Sequence, residues 1–166
     1  MIFPYHTYDA VGLAKLVQAR EVSPRELIEA ALARLDKVNP ILNAVVRTRR
    51  EAALKEADEM EVNDASRPFA GVPFLLKDIS QAIGGEPLTS GALMMKNHIA
   101  KRDSNFVAQI RNGGFIPLGH TNTPEFGLKN ITEPALYGPT RNPWNTEYSP
   151  GGSSGGAAAA VASGIV

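Results

Sequence analysis

Two features of this 166-residue chain have residue types and spacing that could do chemistry: a lysine closing an apolar run, and two adjacent serines inside a glycine cluster. The run Gly71-Val72-Pro73-Phe74-Leu75-Leu76-Lys77-Asp78 reads as a buried strand ending on an amine. If the head of Lys77 stays inside, desolvation disfavours the ammonium and lowers its pKa. To serve as a base at neutral pH it must fall from about 10.4 to near 7, roughly 4–5 kcal/mol of differential interaction. The ordinary alternative is a lysine whose head leaves the sheet and pairs with Asp78 or a solvent-side acid. The second feature is Ser149-Pro150-Gly151-Gly152-Ser153-Ser154-Gly155-Gly156, followed by Ala157-Ala158-Ala159-Ala160. Its glycines allow backbone angles that other residues resist and let backbone N–H groups approach an anion. Composition alone would equally suit a flexible linker. Because an apolar helix begins at once, the glycines sit at a helix N-terminus, a position suited to an oxyanion or phosphate. No Gly-Lys-Ser/Thr is present, so a nucleotide P-loop is a poor match.

Between these features lie Gly119-His120-Thr121-Asn122-Thr123-Pro124-Glu125-Phe126-Gly127 and Gly138-Pro139-Thr140-Arg141-Asn142-Pro143-Trp144-Asn145. Asparagines and threonines beside prolines brace loops through local side-chain hydrogen bonds. Phe126 fits a pocket wall or a core position, and Trp144 reads as a packing anchor rather than a substrate contact. Histidines at 6, 98 and 120 lack metal-ligand spacing and read as loop or surface residues.

The elements that must position these groups can be read from periodicity. Thr7 is expected to cap a first helix carrying Val11, Leu13, Leu16 and Val17. Ser23-Pro24-Arg25-Glu26 predicts a capping box and a helix whose Leu27, Ala31 and Leu35 form one buried stripe, stopped at Asn39-Pro40. A strand at 43–46, an exposed helix at 49–60 and the lysine strand come next. Asp103-Ser104 is expected to cap a helix bearing Phe106, Val107 and Ile110, ended by Gly113-Gly114, before a strand at 115–119. From 120 to 152 the chain is mostly turn-forming, which a compact domain tolerates only where it is functional. The final helix, from Gly155, is expected to run uncapped to Val166 and reads as severed. These alternating signals imply an α/β fold, with N-terminal helices followed by part of a mixed twisted sheet covered by helices.

Composition narrows the function classes. Hydrophobic residues are 43% of the chain, enough for a core, and seventeen basic residues balance seventeen acidic ones. That balance argues against a nucleic-acid or anionic-membrane partner. With no cysteine, disulfides and thiolate metal sites are excluded. No metal or other cofactor is expected, and the default location is the cytoplasm.

The lysine-ending strand, Thr121-Asn122-Thr123-Pro124-Glu125-Phe126, Gly138-Pro139-Thr140-Arg141-Asn142-Pro143-Trp144 and Pro150-Gly151-Gly152-Ser153-Ser154-Gly155-Gly156 occur in the order of the amidase signature family. The chain resembles that family over nearly its whole length. Thr132-Glu133-Pro134 and Arg141-Asn142-Pro143-Trp144-Asn145 look closest to its 6-aminohexanoate-cyclic-dimer hydrolase branch. The resemblance implies a Ser-cisSer-Lys triad in which Lys77 is the base and Ser153 the bridging serine, with a cis peptide at Gly152–Ser153. Neutral Lys77 would take a proton through Ser153 from a nucleophilic serine attacking an amide carbonyl. The same relay would then protonate the leaving amine, and water would release the acyl group. Phe126, Gly127 and Ser154 are expected to contact the small-molecule amide substrate. His120 stands where relatives often carry lysine, and Ala157 where many carry serine.

The family's nucleophile and oxyanion hole fall beyond Val166. Residues 1–166 are therefore expected to be the N-terminal portion of a single amidase signature domain, truncated before the nucleophile. Losing one oxyanion donor typically costs about 10²–10³ in rate, so no amidase turnover is expected of this stretch alone. One other reading is a non-catalytic remnant that self-associates through exposed core. Another is the amidotransferase branch, which shares the fold and triad and works inside a multi-subunit assembly. Thr123-Pro124-Glu125-Phe126 disfavours the latter, whose members usually have a methionine and an acid there.

Overall fold

Ser23 opens the longest helix, α2 (Pro24–Leu42), with the predicted capping box: its hydroxyl accepts from the Glu26 amide, and the Glu26 carboxylate accepts from the Ser23 amide at 2.8 Å. The computed structural model describes residues 4–166. The shorter α1 (Ala10–Gln18) is capped by Asp9 and not by Thr7. The Asp9 carboxylate accepts from the Gly12 amide at 2.7 Å, and negative charge suits a helix N-terminus. The Thr7 hydroxyl instead donates to the Pro4 carbonyl in a 3₁₀ turn, Tyr5–Thr7.

Leu27, Ile28, Ala31, Leu32 and Leu35 of α2 are buried as the stripe requires. The helix does not stop at Asn39-Pro40. Pro40 is accommodated within the last turn, and the chain turns only at Asn43 (φ 49°). Asn39 ties the helix end to the start of the first strand, its side-chain oxygen accepting from the Ala44 and Val45 amides at 2.9 and 2.8 Å.

The sheet has three strands among the described residues: β1 (Val45–Thr48), β2 (Pro73–Lys77) and β3 (Ile116–Thr121), in the order β1-β3-β2. β3 runs antiparallel to β1 and parallel to β2, so the sheet is mixed as expected. Every residue of β3 is buried, which suits a central strand covered on both faces. Pro117 is tolerated there because the β2–β3 register slips at that point, pairing Phe74 with Pro117 but Leu75 with Gly119. Helix α3 (Arg50–Asp58) comes after β1, and α4 (Asn105–Asn112), capped by Ser104, joins β2 to β3.

Leu75, Ile116 and Leu118 pack with α1, α2, α3 and the final helix in the main core. Leu76, on the opposite face of β2, packs with Val107 of α4 and Ile83. That final helix, α5, spans Gly155–Ala162 and ends before Val166. The Ser163 hydroxyl donates to the Ala159 carbonyl at 2.7 Å, Gly164 adopts φ 72°, and the Ile165 amide reaches back to the Ala160 carbonyl. This closed helix terminus replaces the uncapped run to Val166 read from its alanines.

Candidate active site

β2 and β3 are parallel, so their carboxyl ends lie at one edge of the sheet, with Lys77 paired in register to Thr121. That edge is where open α/β sheets place their ligands. The chain leaving β3 forms the floor. The Asn122 amide donates to the Ala44 carbonyl, and its side chain donates to the Gly138 carbonyl and the Thr140 hydroxyl, both at 3.0 Å. The first turn of α5 rests on this floor, the Gly156 amide donating to the Asn122 carbonyl. A side chain on Gly156 would collide with the Asn122 backbone and the Ala44 carbonyl oxygen, so glycine is needed here for close approach.

The serine turn is ordered. Gly151 has φ 85°, the Gly152–Ser153 peptide is cis, and Thr132 bridges the turn. The Thr132 hydroxyl donates to the Gly151 carbonyl at 2.9 Å and accepts from the Gly155 amide at 3.1 Å. The Thr123 hydroxyl donates to the Ser153 carbonyl at 3.1 Å. The Gly155 and Gly156 amides are thereby consumed within the protein. The anion site expected at this helix N-terminus has lost those two donors.

Lys77 meets this turn. Its Nζ donates to the Ser153 hydroxyl oxygen at 2.8 Å and to that of Ser154 at 3.1 Å. Among the described residues no ion pair involves Lys77. The alternative pairing with Asp78 does not form, because Asp78 is fully buried and salt-bridged to Arg47 at 2.7 Å. Partial burial lowers the Lys77 pKa from its ordinary value.

The substrate-side residues converge here in part. A Cβ built on Gly127 would lie 3.8 Å from the Ser153 hydroxyl oxygen, so Gly127 borders the site. Phe126 is held with φ 53° by its amide donating to the Ser90 carbonyl at 2.8 Å, and its ring is 44% exposed, wall rather than core. It lines a groove of about 330 Å³ with Glu125, Ile131 and Pro134 that contains neither Lys77 nor Ser153.

Two sequence readings are corrected. His120 is neither loop nor surface; it lies on β3 at 1% exposure. Neither ring nitrogen reaches a partner at hydrogen-bond geometry, the backbone of Gln81 acting on it only weakly. Burial first, then the charge of Arg47, pushes its pKa down to about 4. Trp144 anchors no core, being 86% exposed on a turn held by the Asn142 side chain accepting from its amide. Sequence reasoning also missed the ring around Asp78, formed by Arg47, Thr89 and Tyr137. No local motif links positions 47, 78, 89 and 137.

The family model for Amidase matches residues 26–166. The chain belongs to the amidase signature family. It is 46% identical over 162 residues to a lipoamidase of Enterococcus faecalis, covering 98% of this chain and 22% of that protein. It is also 46% identical over 159 residues to a 6-aminohexanoate-cyclic-dimer hydrolase of Paenarthrobacter ureafaciens, covering 95% of this chain and 31% of that protein. A solved bacterial aryl acylamidase of the amidase signature family superposes with a TM-score of 0.93 at 36% identity, over 99% of this chain and 35% of its own. This amidase signature chain thus spans less than a third of the curated relatives it matches here and about a third of the solved one.

Proposed function

We propose that this chain contributes the base and the bridging hydroxyl of an amide hydrolase, with Lys77 and Ser153 in those roles. The observation that carries the proposal is the 2.8 Å contact between Lys77 Nζ and the Ser153 hydroxyl, made by an amine that no carboxylate holds. With the amine neutral, the same contact reverses and the Ser153 hydroxyl donates to it. Ser153 then takes the proton of a nucleophilic hydroxyl supplied by polypeptide outside these 166 residues. The nucleophile adds to the amide carbonyl, the C–N bond breaks, and the proton returns through Ser153 to the leaving nitrogen. Water completes the cycle by displacing the acyl group.

The substrate class is a small-molecule amide, linear or cyclic. The names of the lipoamidase and cyclic-dimer hydrolase relatives support that reading. Gly127 and Ser154 border the reacting groups, and Phe126 offers an apolar wall at the approach. The 166-residue chain alone lacks the nucleophile in this scheme and is expected to show no turnover.

The test is mutation of the full-length polypeptide, assayed with a linear and a cyclic amide. Lys77→Ala and Ser153→Ala should each lower kcat/KM by about 10²–10⁴, the usual worth of a positioned acid–base group. Ser154→Ala should lower it less. Turnover unchanged by Lys77→Ala would sink the assignment.

A further inference from the structure

Asp78 comes directly after Lys77, yet its carboxylate faces a closed ring of partners. Arg47 donates to it at 2.7 Å, as does the Thr89 amide at 3.0 Å, and the Thr89 hydroxyl completes the shell. Arg47 also donates to the Tyr137 hydroxyl at 2.7 Å and the Pro87 carbonyl at 2.9 Å, and Tyr137 meets Thr89 at 3.0 Å. The ring joins β1, the end of β2 and two loops behind the lysine. Burial by itself would raise the Asp78 pKa, but the hydrogen bonds from Arg47 and Thr89 outweigh it and hold the acid ionised. A permanent negative charge therefore sits one residue from an amine that must lose its proton.

We propose that the Arg47–Asp78 pair is a positioning device for that same lysine, an inference that rests on the proton relay proposed above: Arg47 commits the charge of Asp78, so the neighbouring acid does not hold Lys77 as an ammonium. No other charge faces Lys77 at ion-pair distance. On β3, Thr121 is uncharged and His120 is buried and neutral, α5 has no ionisable residue, Glu86 is paired with Arg49, and Glu125 on the adjacent turn is exposed. In this scheme Arg47 and Asp78 oppose each other at Lys77, so removing either charge should move the lysine in opposite directions.

The experiment measures the titration of Lys77 directly, by its rate of acetylation with acetic anhydride as a function of pH, read by peptide mass spectrometry on the full-length polypeptide. Arg47→Met leaves Asp78 uncompensated and should raise the titration by about one pH unit, while Asp78→Asn leaves Arg47 and should lower it by about as much. Arg47→Lys keeps the charge and should restore the wild-type midpoint, and the Arg47→Met/Asp78→Asn pair should return towards it. Thr89→Val disturbs the ring without changing any charge and should leave the midpoint in place. Shifts of the same sign in the two single variants, or no shift in either, would overturn the proposal. Where Arg47→Met does not fold, Asp78→Asn decides alone, a rise or an unchanged midpoint counting against it. The acidic limb of kcat/KM, measured in parallel, separates the two ideas. Opposite shifts at Lys77 with a limb that ignores them remove the relay and leave the coupling. A limb present in the wild type with Lys77 unmoved in the variants removes the coupling and leaves the relay.

Discussion

Lys77 is followed directly by an acid and yet makes no ion pair with it. Its neighbour could have neutralised it; instead Asp78 turns to Arg47, and the amine lies against Ser153 and Ser154. Desolvation then lowers its pKa without a carboxylate to oppose the change. The proposed relay needs this amine unprotonated, so kcat/KM of the full-length polypeptide should rise with pH through the Lys77 pKa and level off above it. The measurement is a pH–rate profile between pH 5 and 9, and a rate that falls as pH rises across that whole range would contradict a neutral lysine base. At this scale the sequence marked Lys77 and Ser153 as candidates, because their motifs are contiguous in the chain. It was silent on Arg47, Thr89 and Tyr137, because residues far apart in sequence form one ring with Asp78 only after four segments have packed.

At the scale of elements, β3 and α5 hold the site together, and each carries a testable weakness. His120 is buried in β3 and its pKa falls to about 4, from an ordinary 6.5. The folded state therefore refuses a proton that the unfolded chain accepts between those values. Stability should be full above about pH 6.5 and decline as pH falls toward 4, by about 3 kcal/mol in total. Urea midpoints across that range should show the loss in the wild type and less of it in His120→Met, and equal slopes would mean another group is responsible. Gly156 is the second weak point. Gly156→Ala should cost about 1–3 kcal/mol through overpacking against Asn122 and Ala44. It should also lower turnover, because α5 carries the serine turn; thermal melts and kcat/KM check both. Element types were readable from caps and periodicity, as at Ser23 and Ser104. The misreadings at Pro40 and at the end of α5 share a cause: Asn39 and Ser163 spend their side chains on neighbouring backbone, which residue periodicity does not report.

For the molecule as a whole, the described residues include no helix long and apolar enough to cross a membrane. Within the described residues β1 and β2 each have a single strand neighbour, and Met94, Leu128 and Trp144 are each at least 80% exposed. Unpaired strand edges are templates for further pairing, and exposed apolar side chains favour association. We expect the isolated 166-residue polypeptide to self-associate, read by light scattering against concentration. A monodisperse monomer at high concentration would show that these edges are protected in some other way.

What the sequence determined by itself was the family, the two short motifs that carry Lys77 and Ser153, and the alternation of helix and strand, because each is written in contiguous runs. Tertiary structure decided whether Lys77 pairs with its neighbouring acid or lies against the serine turn. That outcome depended on which partner Asp78 chose, on β2 and β3 ending at one edge, and on glycines small enough to let α5 rest there. Distances between remote segments are products of packing, and no local pattern encodes them.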